Sequence, residues 1–328
     1  MPHAASNKEM RVLVTGAAGF VAPYVIDALK RFASIPTVFF ATAKAPGSVP
    51  GIGEVAALDI TDRDAVSRLV AGTRPHVIVH LAGVSDLGIA HANPQAAWNV
   101  NLGGTLNVAR ATLQHSPDAV FLFAGSCQVY GTAALSGQLL DECALLEPTG
   151  EYAATKAAAD LALGMLARRG LRSLRMRPFN HIGPGQTPSF SVPSFAAQIA
   201  RIEKGMQEPV IKVGNLEPQR DFLDVRDVAD AYAKACLKAD SLEPGSIFNI
   251  ASGTPIRLRE ILDKMIALAG CQIRVEVDPA RWRENEIPLL AGDARKAAAC
   301  LDWSPGYSID ETLNAVLSEQ RAKCRSAN

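Results

Sequence analysis

No charge of either sign predominates in this chain: Lys plus Arg and Asp plus Glu both number 33. Without a global field nothing draws it to nucleic acid or to an anionic membrane, so an anionic ligand must be met by individually placed cations. The six cysteines, Cys127, Cys143, Cys236, Cys271, Cys300 and Cys324, form no C-x-x-C pair. That spacing argues against a zinc ribbon or a disulfide framework and fits thiols in a reducing compartment, the cytoplasm. No metal site is expected. No stretch approaches the roughly 18 apolar residues of a membrane span. The opening MPHAASNKEMR lacks an apolar h-region, so residues 1–9 read as a frayed tail, neither signal peptide nor anchor. Repeats and low-complexity tracts are absent too. Aromatic residues are few at 6%, but hydrophobic residues reach 48% of 328, enough for a large core in one two-lobed unit or two close domains.

Against these absences stands a regular alternation. Short runs rich in Val, Ile, Leu and Phe lie at 11–15, 37–42, 76–81, 119–124 and 172–176, separated by segments of helical periodicity at 20–32, 62–71, 94–114 and 152–168. This is the βαβ pattern of a Rossmann-type, doubly wound parallel sheet in an α/β fold. After Arg177 the texture changes. The segment RPFNHIGPGQTPSF is dense in Pro, Gly and polar residues, as in a loop leaving the C-terminal edge of such a sheet, where ligands bind. A helix at 193–204 and a short strand follow. A helix at 224–239 and a strand at 246–250 then return to the sheet, and the remainder from Ile256 forms a smaller α+β substrate-binding domain. The expected division is 1–177, rejoined by 223–250, for the dinucleotide, and 178–222 with 251–328 for the substrate.

The turn after the first run reads VTGAAGFVAPYV. Gly16 and Gly19 let the backbone approach a pyrophosphate, and a helix opening near Phe20 and Val21 presents free N–H groups and a positive dipole end. About 20 residues on, an NAD-selective site offers an acid to the ribose 2′-OH. Here FFATAKAP has none, and Lys44 stands where it could meet a 2′-phosphate, so NADPH is the preferred cofactor, with NADH possible.

Tyr152 and Lys156 are four residues apart in EYAATKAAADLAL, which places a phenol and an ammonium on one helix face. A cation that close is expected to favour the phenolate and to draw Tyr152 below its ordinary value of about 10, making it a proton donor and acceptor near neutral pH. Ser126 follows the buried run 119–124 and precedes Tyr152 by 26 residues, at the sheet edge, where its hydroxyl can bond a substrate carbonyl or simply cap a turn. Tyr130 reads as packing. Asn101, in WNVNLGGTLNV, reads as a link near Lys156 or a structural amide.

These features closely resemble the extended short-chain dehydrogenase/reductase family over about residues 10–320. Within it RPFNHIGPGQ, EPVIKVGN, QRDFLDVRDV, NIASG and DPARWRENE are most similar to the GDP-4-keto-6-deoxy-D-mannose reductases, which make GDP-D-rhamnose. The resemblance implies Ser126, Tyr152 and Lys156 as catalytic residues. It puts Gly16, Gly19, Phe20, Val21, Asp59, Ile60, Leu81, Ala82 and Gly83 around the cofactor, and Ser85, Asn180, Val213, Arg220, Arg283 and Glu286 around a GDP-sugar. It also implies a homodimer through a four-helix bundle built from 94–114 and 152–168. The implied reaction is hydride transfer from NAD(P)H to a C4 keto group, with Tyr152 protonating the oxygen. Arginine can grip a diphosphate bidentately, and a carboxylate such as Glu286 can accept two N–H bonds from guanine. Related dehydratases carry a carboxylate where this chain has Gln128, which cannot act as a base near neutral pH. The epimerising GDP-fucose synthases place a reactive Cys at that same position, partnered by a His. Cys127 is one position off, so His181 reads as a residue that fixes its loop. Other readings are a GDP-6-deoxytalose-forming reductase, a 4-epimerase that retains its NAD, and a non-catalytic NADP sensor.

Overall fold

The computed structural model describes residues 9–282 and 286–326. The runs of β-branched and large apolar residues form β1 (Met10–Thr15), β2 (Thr37–Ala43), β3 (Gly47–Val49), β4 (Gly53–Ala57), β5 (Val77–His80), β6 (Val120–Ala124) and β7 (Arg172–Pro178). Three small strands follow, β8 (Asn180–Ile182), β9 (Val210–Val213) and β10 (Gln219–Asp224), and then β11 (Ser246–Ile250), β12 (Pro255–Arg257), β13 (Arg274–Val277) and β14 (Leu289–Leu290). The main sheet has eight strands in the order β11-β7-β6-β5-β1-β2-β4-β3. All its pairings are parallel except β3 with β4, so the C-terminal strand ends share one edge.

Helices α1 (Ala22–Phe32), α2 (Arg63–Thr73), α3 (Leu87–Ala92), α4 (Pro94–Trp98), α5 (Thr105–His115) and α6 (Glu151–Ala167) lie between the strands. In the second half run α7 (Ser191–Glu203), α8 (Val225–Leu237), α9 (Leu258–Ala267), α10 (Arg295–Leu301) and α11 (Ile309–Ser326). Aspartates set several starts: Asp62 accepts from the amides of Asp64 and Ala65, and Asp224 accepts from that of Arg226. One sheet face is covered by an apolar cluster with α1 and α8, the other by a cluster with α2, α5 and α6. A third cluster joins α7, α9 and α11 around β9, and a fourth gathers Cys127, Tyr130, Leu140, Phe179 and Leu290. Among the described residues no helix is long and apolar enough to cross a membrane.

Three expectations are corrected. The first helix opens at Ala22 rather than Phe20, with Pro23 in its first turn, where a missing N–H costs nothing. Strands β3 and β4, short and each opening on glycine, add to the expected apolar runs. The continuous helix expected over 94–114 is interrupted between α4 and α5 by a π-helical turn, Asn99–Gly104. Such turns interrupt helices most often at functional positions, and this one carries Asn101.

Candidate active site

The glycine-rich turn rests on the segment after β5. Gly16 has φ +75°, and a Cβ there would lie 2.6 Å from the amide nitrogen of Ala82, so only glycine fits. Leu81 N–H donates to the Thr15 carbonyl at 3.1 Å, tying residues 81–83 to the same turn. Val21 caps α1 without a side-chain acceptor, leaving the helix's positive end for a ligand. Gly19 is exposed and Phe20 half-buried, its ring stacked on His181 with centroids 6.1 Å apart. The Asp59 carboxyl accepts from the Thr61 hydroxyl and amide at 2.7 and 2.9 Å. Those bonds hold it below the usual carboxylate range, with the positive charge of exposed Lys44 adding to the effect. Ile60 is buried, and its carbonyl accepts from Asn107 Nδ2 at 3.0 Å. A steric cradle at Gly16 and a helix end without a side-chain cap fit a dinucleotide.

Ser126 stands at the C-terminal end of β6 and caps the short turn Cys127–Tyr130, its Oγ accepting from the Gln128 amide at 3.2 Å. The Tyr152 phenol of α6 lies beside the same hydroxyl, which acts to lower its pKa. Lys156, one turn further, donates from Nζ to the Ala124 carbonyl at 2.8 Å and stands 5.0 Å over the Phe123 ring. The expected depression of Tyr152 is not found. Burial pushes its phenol up to about 12, against a downward pull from the Ser126 hydroxyl. The ammonium is itself pushed down to about 8 by burial, and its proton is directed at a sheet-edge carbonyl. Tyr152 is therefore a stored proton at neutral pH. Cys127 is 2% exposed, and burial raises its thiol to about 12, so it carries no thiolate near neutral pH.

Ser85 is exposed and Asn180 half-buried. Arg220, on β10, donates to the carbonyls of Gln219 and Ile287 at 2.8 Å and to Glu286 Oε1 at 3.3 Å. The two groups expected on separate parts of a nucleotide thus face each other as an ion pair. Val213 is 1% exposed in the apolar cluster around β9, so its side chain is closed to a ligand in this arrangement. Arg283 lies outside the described residues. The His181 ring nitrogen Nδ1 donates to the Phe179 carbonyl at 3.0 Å, which fixes the loop as read from sequence.

Three buried polar centres are not legible in the sequence, because each depends on partners 15 to 119 residues away. Asp160, fully buried one turn beyond Lys156, pairs with Arg175 at 2.9 Å and with Arg177 at 2.9 and 3.0 Å. Arg177 also donates to the Tyr130 hydroxyl, which donates to Asn249, and Asn249 holds the Leu140 carbonyl. Asp221 takes bonds from Ser252, Gly253 and Gly292 and so folds NIASG against β14. His80 is the third centre. Among the described residues no group of three or more His, Cys, Asp or Glu could hold a metal ion.

A glycine turn and free helix end beside a Ser, Tyr and Lys set, at one edge of a parallel sheet, define a dinucleotide-dependent enzyme of the short-chain dehydrogenase/reductase class. The profile of the NAD dependent epimerase/dehydratase family matches residues 12–251, and the chain belongs to that family. It is 32% identical over 316 residues to the GDP-6-deoxy-D-mannose reductase of Pseudomonas aeruginosa, covering 96% of this chain and 98% of that one. A GDP-6-deoxy-D-talose 4-dehydrogenase of Aggregatibacter actinomycetemcomitans is 27% identical, with coverage of 94% and 96%. The solved structure of RMD from Pseudomonas aeruginosa complexed with NADPH superimposes with a TM-score of 0.83 at 30% identity, covering 96% of this chain and 99% of that one.

Proposed function

We propose that the protein reduces the C4 keto group of GDP-4-keto-6-deoxy-D-mannose with NADPH, yielding GDP-D-rhamnose. The observation that carries this reading is the protonation pattern around Ser126. A protonated phenol lies beside it, whereas the position where related enzymes keep a base holds Gln128, and the neighbouring thiol of Cys127 is inert. Reduction needs a proton donor and no such base; dehydration and C5 epimerisation need the base. The chemistry expected of the cofactor is hydride donation to the keto carbon. Tyr152 gives its proton to the carbonyl oxygen, Ser126 orients that oxygen, and Lys156 supplies positive charge beneath the site. The likeness to an NADPH-complexed structure and the Lys44 position support NADPH.

In this reading residues 1–177 with 223–250 hold the dinucleotide, and 178–222 with 251–328 hold the nucleotide-sugar through Asn180, Arg220, Arg283 and Glu286, with Ser85 reaching it from the first segment. A homodimer in the cytoplasm completes it, supported by an apolar outer stripe on α6 and by six unpaired thiols. The test supplies GDP-mannose and GDP-4-keto-6-deoxymannose separately, following NADPH absorbance and product NMR. Oxidation of NADPH by the keto sugar alone supports the reading, and consumption of GDP-mannose overturns the Gln128 argument. The coupling pattern at C4 separates rhamnose from 6-deoxytalose, the alternative favoured by the talose-dehydrogenase likeness. Free NADP after each turnover excludes an epimerase that retains its cofactor. GDP raising the melting temperature more than UDP supports the Glu286 assignment, and equal protection removes it.

A further inference from the structure

His80 ends β5 with 1% of its surface exposed, between Phe121 and Phe123, and both ring nitrogens are occupied. Nδ1 lies 2.8 Å from Thr15 Oγ1, and Nε2 lies 3.0 Å from Thr105 Oγ1. The direction of these bonds follows from counting protons. Thr105 has one hydroxyl hydrogen, and it is spent on the Asn101 carbonyl at 2.6 Å. Thr105 can therefore only accept from His80, which places the ring proton on Nε2. Nδ1 is then the acceptor, so Thr15 donates to it while accepting from the Ala82 amide at 3.4 Å. Burial pushes the ring down to about 3, with Lys156 as the charged neighbour adding to the effect, so it stays neutral at physiological pH.

The chain continues past Thr105. Asn101 sits in the π-helical turn, its Oδ1 accepting from the Val84 amide at 2.7 Å and its Nδ2 donating to the Val84 carbonyl at 3.1 Å and to Thr155 at 2.9 Å. Thr155 in turn donates to the Tyr152 carbonyl at 2.7 Å. A Cβ on Gly83 would lie 2.9 Å from Asn101 Oδ1 and 3.4 Å from Lys156 Nζ, so Asn101 and Lys156 back the same turn.

We propose that His80 is a positioning residue: held in one tautomer by Thr15 and Thr105, it couples the glycine-rich turn to the π-helical turn and so sets Val84, Ser85 and the Tyr152–Lys156 segment of α6 relative to the cofactor site. The inference rests on the reductase reading for its functional part. A shift of about 1 Å at a reacting group can cost on the order of 100-fold in rate, and this chain of bonds is what opposes such a shift.

Thr105 provides the test, because Val matches its shape and Ser keeps only its hydroxyl. If Thr105 merely fills space, Val should be the better replacement in both stability and rate, since Ser leaves a methyl-sized void. The proposal requires the opposite order in function. Thr105→Val should lower kcat about tenfold and weaken NADPH binding, read by cofactor fluorescence, about threefold, whereas Thr105→Ser stays within about twofold on both. Long-range 15N NMR of the wild-type histidines should show one ring with Nε2 protonated, Nδ1 bare and no titration down to about pH 5. A protonated Nδ1, an ordinary titration, or equal kinetic effects of Val and Ser would each overturn the proposal. If the wild type reduces no keto sugar, the reductase reading falls, yet the tautomer and the Val-to-Ser ratio of NADPH affinity still decide the network.

Discussion

Lys156 should couple stability and activity to pH with opposite signs. Burial takes its ammonium from 10.5 down to about 8, and at roughly 1.36 kcal/mol per unit the fold bears about 3 kcal/mol for holding it charged. At 6% exposure no solvent screening reduces that figure. Below about pH 8 the lysine is charged in both folded and unfolded chains, so the cost is fully present and constant. Between about 8 and 10.5 the unfolded chain binds the extra proton, so stability rises with pH until the cost vanishes. Lys156→Met removes the titration but leaves the Ala124 carbonyl without its donor, a loss of about 1–3 kcal/mol. At neutral pH the variant should therefore gain no more than about 2 kcal/mol. The assay is urea unfolding of both proteins without cofactor, in reductant, at steps from roughly pH 7 to 11. Subtracting the two cancels every other titration. The wild type should gain about 3 kcal/mol on the variant across that range, with the change falling above pH 8. Turnover should move the other way, falling as the ammonium is lost, while Tyr152 at about 12 keeps its proton throughout. A difference curve flat to within about 0.5 kcal/mol would refute the burial argument.

Tyr152→Phe should bind cofactor normally and lose a factor on the order of 10² to 10⁴ in turnover, and wild-type-like rates would remove the phenol from the chemistry. NADPH should outperform NADH in steady-state rates, because Lys44 and no carboxylate follows β2; a tenfold preference for NADH would sink that assignment. On the outer face of α6, Leu161 and Met165 are 61% and 41% exposed on one apolar stripe. Light scattering should report a dimer, and Leu161→Lys should shift it towards monomer; a wild-type monomer at every concentration contradicts the assembly.

The alternation of apolar runs with helical segments made the sheet legible, since parallel strands buried on both faces need uninterrupted Val, Ile and Leu. Strands β3 and β4 were not legible, being an edge pair of GSV and GEVAA with little apolar content. In the site, spacing alone put Tyr152 and Lys156 on one face. Spacing says nothing of burial, however, and burial reversed the expected direction of the Tyr152 shift. The same limit applies to Val213, which the resemblance places around the nucleotide-sugar while β9 takes its side chain into the core. The π-helical turn left no mark either, because WNVNLGGTLNV keeps helical periodicity on both sides of it.

Helix α6 shows why Tyr152 and Lys156 depend on charges they never touch. Tyr152, Lys156 and Asp160 follow at four-residue spacing and share one face. Each is anchored to a different layer: the phenol to Ser126 at the cleft, the ammonium to the Ala124 carbonyl at the strand end, and the carboxylate to Arg175 and Arg177 inside the fold. A helix pinned at three successive turns cannot rotate without breaking a buried ion pair, which costs roughly 3–5 kcal/mol when one partner is stripped away. That exceeds the contribution of a single hydrogen bond, about 1 kcal/mol, so the innermost contact governs the outermost. Arg177 extends the constraint to Tyr130 and, through Asn249, to the Leu140 segment that crosses to Gly292. The positions of Tyr152 and of that segment are therefore set by the same fully buried carboxylate.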